Sequence, residues 1–515
     1  MKEMTEKKLI DKLLSDLEGK CRTIAVPEGE KAEIAGEPTL RQQVLDALLK
    51  RCKAAQMDDL PRIEKEMQSF FEEYTNADYF ADYQSKEYYR FLDLREEPDA
   101  RVVVIGDVHC DFFSLAALLL KLSVSSYDYF GKARFVFLGD YLDRGMVMFE
   151  PLLLLMDLRR ILGERMIMLK GNHELISYGE VTGKLDSQVL PQDSCPLMNQ
   201  LYGEEKAFLK QFGDFFRTLP TYVYLKVAGR NVLLTHAAVP RDIFRDTFHF
   251  DQENGAFVFE SAFLYEQKNK AQEKTFDDSL KTMNGILNDD LLRMRNQIFF
   301  DMIWGDPCHA PSKFQVAGRY QFGSEQFDAY ARKNRIDLLL RSHVPVRDGF
   351  ESFFDDRLYT IFTSGGAGNE QAGYGNITPA FAVVCGDGHF FLENSYLYRV
   401  RISDAFDFFC NPFTGEVLKA SSMSRYSLGD EFICDEKVIS EIESLFVQVK
   451  DGFVEKPEEP KEPEEEPVKS EDSEKPEEPG ESPEVDEASE KPAEEAPEKK
   501  EVGEDVKTED DKEVL

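Results

Sequence analysis

An α/β fold is predicted by three short apolar runs, each ending in glycine and a polar residue, and by helix-favouring stretches between them. Residues 101–105 read RVVVI and run into Gly106-Asp107, and residues 134–138 read RFVFL and run into Gly139-Asp140. Residues 165–169 read RMIML and lead through Lys170 to Gly171-Asn172. The three glycines stand 33 and 32 residues apart, close to the length of one strand–helix–strand unit. Because such sheets bind ligands in the crevice beyond the carboxyl ends of their strands, these polar residues are the first candidates for a site.

Taken in order, residues 1–98 form a helical N-terminal extension. Apolar positions recur at helical spacing in Leu9, Leu13, Leu14 and Leu17, and again in Leu40, Val44, Leu45, Leu48 and Leu49. Aromatics crowd between Phe70 and Leu94, among them Phe71, Tyr74, Tyr79, Phe80, Tyr83 and Tyr89. They read as a packing face against the following domain, with a partner-binding surface as the alternative. Residues 99–402 form the α/β domain. Within it, residues 240–302 are charged and helix-favouring, and are expected as a helical insertion over or beside the site. The runs NVLLT, IDLLL, LYTIFTS, FAVVC and HFFLEN follow in the second half, as strands of a second, mixed sheet. Residues 403–454 form a C-terminal extension.

Residues 455–515 hold 27 acidic and 9 basic residues, nine prolines and no aromatic side chain. Such a segment cannot bury enough apolar surface to offset its ordering entropy, so a disordered tail is expected. It carries half of the chain's formal charge of −36. The rest is acidic too, which argues against nucleic acid as a partner, while the tail itself suits a basic partner. The charged start of the chain lacks the apolar core of a secretory signal, and no run approaches a membrane span. A soluble, cytoplasmic protein with no membrane partner is therefore expected. Eight cysteines without C-x-x-C spacing read as reduced thiols.

Candidate ligands end five apolar runs: Asp107 with His109, Asp140, Asn172, His236 and His343. Carboxylate, amide oxygen and imidazole together suit Mn, Fe or Zn better than a thiolate-seeking centre. Only seven histidines occur in the chain, and four of them, counting His173, fall at these strand ends. That concentration is unexpected of packing residues.

The segments GDVHC (106–110), GDYLDRG (139–145), GNHE (171–174), THA (235–237) and RSH (341–343), with WGDP (304–307), resemble the signature of the phosphoprotein phosphatases. These belong to the calcineurin-like metallophosphoesterases. The resemblance spans residues 100–400 and implies a β-sandwich of two mixed sheets flanked by helices. It implies two divalent or trivalent metal ions, one held by Asp107, His109 and Asp140, the other by Asp140, Asn172, His236 and His343, with Asp140 bridging. Such ions, about 3.5–4 Å apart, lower the pKa of a bridging water and clamp the phosphoryl oxygens during in-line attack. His173 would then protonate the leaving group, with Asp143 orienting its ring.

Cations should face the phosphate, and Arg144 is the best candidate. Arg319 in GRYQFG resembles the family's second phosphate-holding arginine, with a surface arginine as the alternative. Lys170 stands where the family usually has arginine. Three departures stand out: Cys110 replaces a glycine, His236-Ala237-Ala238 replaces His-Gly-Gly, and residues 364–368 replace Ser-Ala-Pro-Asn-Tyr. Inhibitor sensitivity is therefore not inherited from familiar members. Cys110 reads as a buried packing cysteine, with a redox-sensitive thiol as the alternative. The implied activity is hydrolysis of phosphoserine and phosphothreonine in proteins. Dinucleoside polyphosphate hydrolysis on the same metals and a non-catalytic scaffold stay open beside it.

Overall fold

The computed structural model describes residues 39–54, 59–76, 89–125, 127–145, 149–187, 189–190, 192–274, 283–311, 320–366, 369, 372–395, 398–403, 406–410 and 417–419. The acidic tail, the first helical pattern at Leu9–Leu17, several aromatics of the extension and Arg319 lie outside them.

Two mixed sheets form a sandwich. The five-stranded sheet runs Phe390–Asn394, Ala380–Cys385, Arg101–Ile105, Arg134–Phe137, Met166–Met168, with its last three strands parallel. The six-stranded sheet runs Tyr89–Asp93, Tyr222–Val227, Arg230–Thr235, Leu338–Arg341, Leu358–Ile361, Phe350–Phe353. Side chains alternate across each strand, so one run of apolar residues serves two cores. Val102, Val104, Val136 and Ile167 meet Val223, Leu225, Leu234 and Leu340 between the sheets. Val103, Ile105, Phe135 and Met168 face the helices on the outer side of the first sheet. Tyr222, Tyr224, Leu233 and Leu339 face the outer helices of the second.

The helix Phe112–Val124 is apolar nearly all round because both its faces are covered. Asp111 starts it by accepting the Ser114 N–H at 3.0 Å. The N-terminal helices Leu40–Ala54 and Leu60–Asn76 join the same core. Phe70, Phe71 and Tyr74 pack on Phe215 with ring centroids 5.3–5.5 Å away, on the apolar stripe of helix Lys206–Arg217. These three aromatics thus form the packing face expected of them.

Four differences from the sequence reading stand out. Tyr89–Asp93, read within the helical extension, is a strand that pairs in parallel with Tyr222–Val227. FAVVC and HFFLEN leave the second sheet and extend the first, FAVVC antiparallel to Arg101–Ile105 and HFFLEN antiparallel to FAVVC. The insertion opens with a hairpin, Phe248–Phe250 with Phe257–Phe259, before its helices Ser261–Lys274 and Met283–Trp304. A three-stranded antiparallel sheet, Tyr398–Ser403, Phe406–Cys410 and Val417–Lys419, crosses the expected boundary at 402. Among the described residues no helix is long and apolar enough to cross a membrane.

The N-terminal helices are also tied down by charge. Arg51, 0% exposed, lies 2.6 Å from Asp157 and 2.7 Å from Glu66, and Arg62 pairs with Glu150 at the start of helix Phe149–Leu162. Removing one partner of a buried ion pair leaves the others uncompensated. Arg51→Ala should therefore lower the unfolding free energy by about 3–5 kcal/mol in urea titrations, a wild-type midpoint showing that the cluster is not structural.

Candidate metal centre

The site lies where the parallel strands of both sheets end. Each ligand candidate follows its strand by one to four residues, and the backbone turns sharply there. His109, Cys110, Asp140, Asp143, Arg144 and His343 all have positive φ, between 44° and 76°. Non-glycine residues hold this left-handed conformation only where the surroundings over-determine it. Cys110, with φ 54°, occupies the place where the family carries glycine. Gly171 is required by close approach, since a Cβ there would stand 2.2 Å from Asp140 Oδ1.

Six polar side chains converge at one buried place. His236 Nε2 lies 3.0 Å from Asn172 Oδ1, 3.1 Å from His343 Nδ1 and 3.3 Å from Asp140 Oδ1. Asn172 Oδ1 is 2.8 Å from His343 Nδ1. On the other side of Asp140, His109 Nε2 lies 3.6 Å from Asp140 Oδ2 and 3.5 Å from Asp107 Oδ2. The remaining ring nitrogens point outward: His109 Nδ1 donates to the Leu142 carbonyl at 2.9 Å and His236 Nδ1 to that of Leu138 at 3.0 Å. Their Nε2 atoms therefore present lone pairs inward.

Lone pairs that face one another repel unless a donor or a cation stands among them. Turning the Asn172 amide would point its NH₂ at His236, His343 and Asp140. A cation satisfies the same atoms without turning it, and also serves the buried Asp107 Oδ2, which has no hydrogen-bond partner. The ligand atoms of Asp140, His236 and His343 lie within 4.8 Å of one another, as do those of His109, Asp140 and His173. The donor set of carboxylate, amide oxygen and imidazole fits hard or borderline metal ions.

The charges respond to this crowding. Burial opposes ionisation of Asp140, yet His236, His173 and His109 hold its carboxyl well below the usual range. Burial favours neutral His109, but unless a cation takes its Nε2 lone pair Asp107 and Asp140 raise it to about 9. Burial also opposes ionisation of Asp143, and His173 beside it outweighs that effect. The contact is short, His173 Nδ1 to Asp143 Oδ2 at 2.6 Å, while His173 N–H donates to Asp140 Oδ1 at 3.0 Å.

Three further residues support the centre, none of them assigned a role from sequence. Glu174 ends the GNHE segment, and its carboxylate accepts the backbone N–H groups of Asp140 (2.8 Å), Tyr141 (2.8 Å) and Gly171 (2.9 Å). Burial and nearby Asp140 push its pKa up to about 8. Ser342 donates to Asp107 Oδ1 at 2.5 Å and accepts the Asp107 N–H at 2.8 Å. Tyr374 tilts over His109 with centroids 5.7 Å apart, and the Arg144 guanidinium stands 5.9 Å from its ring. Motif membership was the available signal for Glu174 and Ser342. Tyr374 had none, standing outside every recognised motif.

Lys170 is not brought to the cluster, since its ammonium donates to the Arg217 carbonyl at 2.8 Å. Cys110 is buried, its thiol directed at the Tyr141 carbonyl, and burial raises its pKa well above the ordinary thiol value.

A two-sheet sandwich with such a cluster at its strand ends defines a metallophosphoesterase. Residues 100–347 match the family model described as calcineurin-like phosphoesterase. Residues 100–347 thus form a domain of this family, and the motifs that resemble the phosphoprotein phosphatases lie within it. It is 25% identical over 274 residues to a protein of Encephalitozoon cuniculi (strain GB-M1) named "probable serine/threonine-protein phosphatase", with 53% of this chain and 48% of that one covered. The chain thus spans about half the length of this curated relative. Among solved structures it is similar to a protein serine/threonine phosphatase from Saccharomyces cerevisiae with similarity to human phosphatase PP5, at TM-score 0.43 and 17% identity, covering 67% of this chain and 91% of that one. A cold-active protein tyrosine phosphatase follows at TM-score 0.34 and 16% identity, covering 58% and 81%.

Because Glu174 holds three backbone donors around Asp140, Glu174→Gln should weaken metal binding by about 10–100-fold, as outer partners of metal ligands do. Equilibrium dialysis with Mn would measure it, and unchanged affinity would remove Glu174 from the centre.

Proposed function

We propose that this chain is a metal-dependent protein serine/threonine phosphatase. One observation carries the reading: a buried histidine held by a carboxylate at 2.6 Å stands beside the cluster of ligand candidates. Asp107, His109 and Asp140 would hold one metal ion, and Asp140, Asn172, His236 and His343 a second, drawn from Mn, Fe or Zn. When bound, such ions polarise phosphoryl oxygens and lower the pKa of water. His173 lies at the edge of the first set, but its Nδ1 is taken by Asp143. Its Nε2, 4.0 Å from Asp140 Oδ2, is the atom left to face a substrate.

Asp143 fixes the ring with Nε2 free, so His173 delivers a proton to the departing oxygen. Arg144, beside Tyr374, contacts the phosphoryl oxygens and balances charge as the bond breaks. Arg319 would add a second contact. Phosphorylated proteins are the substrates this reading selects, since a serine alkoxide is a poor leaving group and needs such a proton.

His173→Asn should slow hydrolysis of a phosphoserine peptide by about 10²–10⁴-fold, and p-nitrophenyl phosphate much less, because p-nitrophenolate departs unaided. Metal content should hold. Equal losses on both substrates would favour phosphate positioning, and loss of metal would make His173 a ligand. Preference for diadenosine tetraphosphate over the phosphopeptide in the wild-type protein would turn the assignment to nucleotide hydrolysis. No phosphate release from any substrate with Mn present would leave a scaffold.

A further inference from the structure

The His173–Asp143 pair is itself held by residues outside the recognised motifs. Asp143 and Arg144 are consecutive, with φ of 65° and 71°, a conformation that persists only under external restraint. Two residues of the facing segment supply it. Asp143 N–H donates to Ser194 Oγ at 3.0 Å, and Arg144 N–H donates to Asp193 Oδ2 at 3.1 Å. In return, the N–H groups of Asp193 and Ser194 donate to Asp143 Oδ1 at 2.9 and 2.7 Å. Two loop donors thus go to side chains at the start of helix Ser194–Tyr202, and two donors at that helix start go to the loop's carboxylate. With Oδ1 engaged in this way, Oδ2 is the oxygen turned to His173. Ser194 is 2% exposed, so bulk water does not substitute for its hydroxyl.

We infer that Asp193 and Ser194 form a clasp that positions Asp143, and through it His173, together with Arg144. The inference rests on the proton-donor reading of His173 given above. Both are positioning residues, for they reach the reacting groups only through others. Their tasks are separable: the Ser194 hydroxyl serves Asp143, whereas the Asp193 carboxylate serves the backbone of Arg144. Small displacements of groups that must meet a reacting atom cost large factors in rate. Losing the Ser194 hydroxyl should therefore resemble losing the acid. Losing the Asp193 carboxylate should resemble loosening a phosphate contact, whatever the leaving group.

The test is steady-state kinetics of the full chain, metal-loaded, on a phosphoserine peptide and on p-nitrophenyl phosphate, with His173→Asn as the reference. Ser194→Ala should lower kcat on the peptide by about 10–100-fold and change the nitrophenyl ester little, and Ser194→Thr, which keeps the hydroxyl, should restore most of the loss. Asp193→Ala should raise KM for both substrates, and Asp193→Asn, which keeps an oxygen facing Arg144, should recover it. Should Ser194→Ala not fold, Ser194→Cys replaces it, keeping the shape with a weaker acceptor. Wild-type rates in Ser194→Ala beside a leaving-group-dependent loss in His173→Asn would overturn the clasp, as would equal losses on both substrates without rescue by threonine. If His173→Asn itself loses equally on both, the proton-donor reading fails instead. The clasp then stands only if Ser194→Ala reproduces the His173→Asn pattern and Asp193→Ala still raises KM.

Discussion

A carboxylate removed from water is strongly destabilising unless positive charge and hydrogen bonds surround it, and Asp140, 1% exposed, is the point at which this constraint shapes the domain. Its backbone is left-handed, its N–H is bound by Glu174, and its Oδ1 receives the N–H of His173. Imidazoles from three separate strand ends surround it. The glycine at 171 is imposed by the same atom, because no side chain fits beside Oδ1. Each of the strands that lead here is buried on both faces. The turns that follow them are therefore fixed by two cores at once, and the strained φ values persist because neither sheet can shift alone.

The parts of this arrangement that were legible in the sequence are those written locally. RVVVI, RFVFL and RMIML announce strands through composition, and the polar residues just past them mark where a ligand cluster forms. Partner choice is not local. FAVVC pairs with Arg101–Ile105 although they lie far apart in the chain, and nothing in its alternation distinguishes that neighbour from the strands of the other sheet. Tyr222–Val227 went unread, and Tyr89–Asp93 was hidden in an aromatic stretch whose spacing suits a helix equally well. Supporting roles were hidden for the same reason. Ser342 meets Asp107 across 235 positions, and the orientation of Lys170 depends on where helix Lys206–Arg217 happens to end.

Chemically the centre divides into two functions that share one carboxylate. On one side of Asp140, lone pairs of Asn172, His236 and His343 converge. On the other side stand His109 and Asp107, with the His173–Asp143 pair at the margin. Tyr374 lies against both His109 and Arg144, so this one ring touches the ligand cluster and the neighbouring arginine together. Ser364 Oγ lies 2.9 and 2.7 Å from the Asp107 and Val108 carbonyls. Ser364, the first residue of the segment that departs from the family pattern, therefore braces the ligand turn from outside.

The strand Tyr89–Asp93 has a consequence for how the chain assembles. It is made before any other strand of its sheet, yet its partner Tyr222–Val227 is made only after the three parallel strands of the opposite sheet. Until then its backbone donors and acceptors have no ladder to join, and closing so long a loop delays the pairing. Conversely, a fragment cut at the first recognisable motif would lack this strand and leave Tyr222–Val227 as a raw sheet edge, apolar on both sides. Such an edge is a template for self-association. The residues ahead of the motifs thus protect the domain from its own copies as well as completing its core.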